Sequence, residues 1–134
     1  MYGEFSKYSI CHTRQEKIAA KRYVIQVYER VSQLTPAGKR LLSTLLRSYR
    51  ENHGMPLNRK EIAALLSRPT QGLTPHDRKL LGQLKTLELL ISTRATLWTP
   101  ERSPCGAEYR YSMSEDTAWA LNVIRQRARQ QRLK

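Results

Sequence analysis

The chain has 134 residues, enough for one domain with its own core and too few for two of ordinary size. With 40% hydrophobic residues it has the means to bury a core, which argues against global disorder. Lys and Arg number 24 against 11 Asp and Glu, and the self-repulsion of a formal +13 invites a polyanionic partner: nucleic acid before an anionic membrane surface or an acidic protein.

Residues 1–12 carry Tyr2, Phe5, Tyr8 and Ile10 without a clear period and read as an arm able to dock on the body or on a partner. Thr13 with Glu16 forms a capping box that opens a helix reaching about Ser32, with Ile18, Val24, Ile25, Val27, Tyr28 and Val31 on a broad apolar side. Thr35 then Pro36, an N-cap followed by proline at the first helical position, starts a second helix. Leu41, Leu42, Leu45, Leu46 and Tyr49 follow at helical spacing until Gly54 and Pro56 end the run. Asn58 with Glu61 begins a third, short helix with Ile62, Ala63, Leu65 and Leu66 as its apolar face. Pro69 and Gly72 make residues 67–73 a loop. Thr74, Pro75 and Asp77 repeat the cap-then-proline signal, and the helix predicted over 74–90 turns Leu80, Leu84, Leu87 and Ile91 to the core.

The period then alternates. Residues 91–98 and 107–113 read as the two strands of a β-hairpin around a loop at 99–106, with Tyr109, Tyr111 and Met113 on one side and Glu108, Arg110 and Ser112 on the other. Ser114 caps a last helix whose first turn holds Glu115 and Asp116, in accord with the helix dipole, and whose apolar positions are Trp119, Leu121, Val123 and Ile124. Beyond Asp116 every charge is positive. The fold class expected is mainly α with a small β-hairpin.

Cys11 and Cys105 lack the spacing of a metal or redox pair, and His12, His53 and His76 have no ligand spacing, so neither a metal nor another cofactor is expected. The acidic residues are scattered, with no nucleophile beside a base and no glycine-rich phosphate loop, which argues against an enzyme. The absence of an 18-residue apolar stretch and of a hydrophobic signal core points to a soluble cytoplasmic, nucleoid-associated protein with no membrane partner.

Over residues 34–123 the order of elements, together with HGMPLNRKEIAALLS and TPHDRKLLGQLKTLELLIS, resembles the winged helix-turn-helix family. NRKEIAALL resembles the first helix of that motif, and the pattern L-x-x-L-K-x-L resembles its recognition helix running into the first wing strand. SYRENHGMPLNRKEIAALL also resembles the DNA-binding domain of the LexA repressors, while the flanking first and last helices resemble the MarR-type regulators. YSMSEDTAWALNVI is similar to the passage from wing to closing helix. Two features differ from the family: Glu88 stands where a glycine usually joins recognition helix to wing, and the loop at 67–73 is longer than the usual tight turn. The resemblance implies one winged domain over 13–134 with its core at 34–113. It further implies a non-catalytic transcriptional regulator or architectural factor on duplex DNA, with helix 74–90 in the major groove and hairpin 91–113 on the backbone or in the minor groove. A homodimer through the first and last helices is the expected assembly.

At 100° per residue Arg78, Lys79, Gly82, Lys85 and Thr86 fall outward on helix 74–90, with His76 and Gln83 at its margins. Arg78 and Lys79 lie near the helix N-terminus, the end that reaches base edges, where arginine can bond guanine through two donors. Arg59 and Lys60 open the preceding helix, whose free amides favour phosphate. Arg94, Arg102 and Arg110 belong to the hairpin and suit the backbone or a minor groove. Trp98, Tyr109 and Tyr111 either stack on unpaired bases or pack the hairpin on the helices. The arginines after residue 124 fit phosphate contacts and the exposed side of a dimerisation helix equally. Two other readings of the whole stay open: a protein-docking subunit of a larger nucleoprotein complex, and an RNA-binding protein. On either, the outward face of helix 74–90 need be no more than a solvated charged surface.

Overall fold

The structure, a computed structural model, describes residues 2–68, 72–96 and 107–133. Helix starts follow the caps. The side chains of Thr13, Thr35, Asn58 and Thr74 each accept the backbone amide three residues on, opening α1 (Arg14–Ser32), α2 (Pro36–Glu51), α3 (Arg59–Leu65) and α4 (Pro75–Thr86). Ser114 does the same for Thr117 at the start of α5 (Glu115–Leu133). Reciprocal boxes close at Asn58 with Glu61 and at Thr74 with Asp77. At α1 the expected box is altered, because the Glu16 carboxylate accepts from the His12 amide at 3.0 Å, one residue before the cap.

The ends of α2, α3 and α4 are set by residues in the left-handed region, and three of these are not glycine: His53, Ser67 and Glu88 have φ near +60° (59°, 61° and 59°). At α4 the Leu89 amide bonds the Leu84 carbonyl and the Glu88 amide bonds the Lys85 carbonyl. Those are the paired 6→1 and 5→2 bonds of a Schellman ending. The Arg68 and Ser67 amides repeat the pattern at the end of α3, bonding the Ala63 and Ala64 carbonyls respectively. Glu88 therefore stops α4 at Thr86, four residues short of the predicted end, and Ile91 is not on its core face. Ile91 opens a strand instead and is 47% exposed. Leu89 and Leu90, in the turn, are the residues that go inward.

The sheet has a strand that the alternation rule did not reveal. β1 (Leu57–Asn58) joins β2 (Ile91–Thr96) and β3 (Ala107–Ser112) in the antiparallel order β1-β3-β2, with Leu57 and Ser92 both opposite Tyr111. The molecule is thus mainly helical with a small three-stranded antiparallel sheet among the described residues. Leu97, Trp98, the predicted loop at 99–106 with Arg102 and Cys105, and Pro69 lie outside the described residues.

The core is centred on α2, whose Leu41, Leu42, Leu45, Leu46 and Tyr49 are all buried. Against them pack Ile62 of α3, Leu80, Leu81 and Leu84 of α4, and Tyr111 of β3. The described part of the predicted arm, residues 2–12, docks on the body. Tyr2 is buried with its ring 6.3 Å from that of Tyr49, Ser6 donates to the Asp116 carboxylate, and Tyr8 stacks on Tyr23 at 4.6 Å. Gly54, with φ at +80°, leaves room for the Tyr2 ring, since an added Cβ would lie 2.5 Å from its edge. The apolar side expected of α1 divides: Val24 and Val27 are buried, whereas Ile25 and Tyr28 are more than half exposed. No helix among the described residues is long and apolar enough to cross a membrane.

Candidate nucleic-acid interface

The two faces of α4 separate by chemistry. Leu80, Leu81 and Leu84 turn inward, while His76, Arg78, Lys79, Gly82, Lys85 and Thr86 are exposed and Gln83 is half-buried. The exposed face agrees with the one expected from helical periodicity. Its Thr86 hydroxyl is already engaged, donating to the Gly82 carbonyl at 2.9 Å. A Cβ on Gly82 would meet nothing within 4 Å, so the protein's own packing does not require glycine there.

Asp77 is the acid of α4, and it faces in. It is 5% exposed, its carboxylate accepts from the Thr74 amide, and the Arg68 guanidinium binds the same oxygen. Burial raises the carboxyl's proton affinity, but the bonds from Arg68 and from the Thr74 amide and hydroxyl outweigh it and hold Asp77 below the ordinary 3.8. Two consequences follow: the outward surface of α4 carries positive charge alone, and Arg68, from the segment linking α3 to α4, is drawn onto the first turn of α4. Because the folded-state pKa is depressed, Asp77 contributes stability that is complete above pH 4 and is lost as pH falls through the folded value. Asp77→Asn is expected to cost about 2 kcal/mol at neutral pH, by unpairing Arg68 and weakening the cap, and to flatten the fall in thermal midpoint below pH 4. Parallel acid profiles for the two proteins would show that the ion pair contributes little.

A second cluster forms where α3 meets the sheet. Arg59 lies over the Tyr109 ring with its guanidinium carbon 5.1 Å from the centroid, and Arg94 lies 6.0 Å from the same centroid. Arg59 also donates through Nε to the Tyr111 hydroxyl at 3.4 Å. Strand pairing accounts for this grouping: Arg94 sits opposite Tyr109, two residues along from the Ser92–Tyr111 pair, so the four share a sheet face. Tyr111 on that face is buried, and Tyr109 at its edge is partly exposed between the arginines. Arg110 pairs with Thr93 on the opposite face. Lys60 is exposed beside Arg59 at the start of α3. The predicted residues therefore resolve into the outward side of α4, the Arg59–Tyr109–Arg94 group with Lys60 next to it, and Arg110 across the sheet.

One role comes from the register alone. Tyr109 orders two cations through its ring, which neither the alternation of the strand nor a base-stacking reading would assign. Groups of His, Cys, Asp and Glu fit to hold a metal ion do not occur among the described residues.

No protein-family model matches the chain, and neither the curated proteins nor the solved structures yield a match to it.

Proposed function

We propose that the chain is a winged helix-turn-helix protein that binds duplex DNA as a non-catalytic regulator. In this reading α4 enters the major groove and the β2–β3 hairpin lies on the backbone or in the minor groove. The observation that carries it is the sorting of charge on α4, whose acid Asp77 is buried on Arg68 while His76, Arg78, Lys79 and Lys85 are exposed. Such a face suits a polyanion and would be costly against an apolar partner. Support also comes from the sequence α2-β1-α3-α4-β2-β3 with sheet order β1-β3-β2, and from Glu88 in the left-handed conformation at the place where the family has glycine.

Arg78 and Lys79, at the fourth and fifth positions of α4, are assigned to base edges and adjacent phosphates, with His76 and Gln83 flanking them. Arg59, Lys60, Lys85, Arg94 and Arg110 are assigned to the backbone, fixing the register of the helix. Ile25 and Tyr28, exposed on α1, are assigned to a homodimer contact with α5, which would set two half-sites about one helical turn apart.

Affinity for duplex DNA should fall steeply with salt. If about five cations meet phosphates, the slope of log K against log salt is about −4.5 per protomer. A flat response would remove the electrostatic basis of the proposal. Selection of bound fragments from random duplex DNA tests specificity, since an enriched palindrome supports a dimeric reader. Stronger retention of structured RNA than of duplex in competition would favour an RNA partner, and binding of neither would favour a protein-docking role.

A further inference from the structure

Away from α4 and the sheet, arginines from two helices converge on one cleft. The N-terminal segment, α2 and α5 enclose about 460 Å³ lined by Arg50, Arg125 and Arg129, with the amides of Asn122 and Gln126 beside them and Glu4 as the one acid of the lining. Arg125 and Arg129 are four residues apart on α5 and so stand on the same helix face. Arg50 reaches in from the last turn of α2. Burial first, and then the charges of Arg50, Arg129 and Arg47, pull the Arg125 guanidinium below its ordinary range. Like charges at that spacing repel, and desolvation sharpens the repulsion. One carboxylate against three guanidiniums leaves the lining with a net positive charge. The same guanidiniums are planar forks of donors, matched to the tetrahedral oxygens of a dianion.

We propose that this cleft binds a phosphate group, held by Arg50, Arg125 and Arg129 with the side-chain amides of Asn122 and Gln126 completing the donor set. Its lining shares no residue with α4 or the sheet, so it is separate from the proposed reading surface. A phosphorylated small molecule and the backbone of a bound nucleic acid would present the same chemistry.

The test is the thermal midpoint of the full chain in inorganic phosphate or pyrophosphate, against sodium chloride of equal ionic strength. At about ten times the dissociation constant either anion should raise the midpoint by about 4 °C over chloride. Arg125→Gln with Arg129→Gln should abolish that excess while melting no lower than the parent in chloride, because the repulsion is relieved. If loss of the partly buried Arg125 stem unfolds the double variant, Arg129→Gln alone should at least halve the excess. No excess over chloride, or an equal excess in parent and variants, overturns the proposal. When the excess is lost, duplex affinity separates the sources: an unchanged affinity identifies a free phosphorylated ligand, and a fall of at least ten-fold identifies the nucleic-acid backbone. Arg78→Glu with Lys79→Glu should leave the phosphate response intact, so failure at α4 and failure at the cleft are distinguishable.

Discussion

Reversing two charges at the start of α4, Arg78→Glu with Lys79→Glu, is expected to weaken duplex DNA binding by about 100-fold at moderate salt. The magnitude follows from losing one arginine contact of about 1–3 kcal/mol together with one phosphate contact, and from placing two anions against the backbone. The salt slope should also shrink by about 1, for the one phosphate contact removed. Folding should be nearly untouched. Both side chains are exposed, and acidic residues near a helix N-terminus interact favourably with its dipole. Fluorescence anisotropy across a salt series, with thermal melting in parallel, measures both quantities. Unchanged affinity in a folded variant would mean that α4 is not the reading helix, whatever else the protein binds. Lys85→Glu, further along the same exposed face, should cost about ten-fold, since it removes a single phosphate contact.

Helix starts were legible because a cap is a local event: Thr13, Thr35, Asn58, Thr74 and Ser114 each engage an amide three residues away. Helix ends were less so. His53, Ser67 and Glu88 take the left-handed conformation without the glycine that ordinarily announces it, and this is why a helix ending at Thr86 reads in sequence as one reaching residue 90. β1 is two residues long, too short to alternate, and exists only because β3 pairs with it. The docking of the arm was equally hidden, because Ser6 and Tyr8 find Asp116 and Tyr23 far along the chain.

The candidate site divides the same way. The outward face of α4 follows from 100° per residue, and the buried leucines on its other side fix which face that is. Grouping Arg59 with Arg94 on Tyr109 depends on the register of β2 on β3 and on where α3 begins beside them. The arginines of the cleft are separated by most of the chain, Arg50 on α2 and Arg125 on α5. Composition gave the total charge but not its division between two surfaces. That division matters for any mutational test, because removing a cation from one surface should leave the other intact.

Tyr49→Ala is expected to be the most destabilising of these changes, at about 4 kcal/mol, because it opens a large cavity at the centre of the fold. Tyr49 is fully buried on α2, contacts the Tyr2 ring of the arm, and donates its hydroxyl to the Tyr111 carbonyl of β3 at 2.6 Å. One side chain thus ties the helical core to both the arm and the sheet. Burial, and then Tyr2, push its hydroxyl pKa up, so the donor keeps its proton throughout the neutral and mildly alkaline range. Tyr49→Phe keeps the ring and loses the bond, which should cost about 1–2 kcal/mol. Urea midpoints at an unchanged m-value would measure the two costs on a common scale. If Phe costs as much as Ala, the hydroxyl bond to β3 dominates and ring packing adds little. The expected order, with Ala far the larger, makes packing the main bond between core and sheet. Since Tyr111 also receives Arg59, Tyr49→Phe should loosen the seat of that cation and weaken duplex binding by about two- to three-fold, well short of the loss from α4.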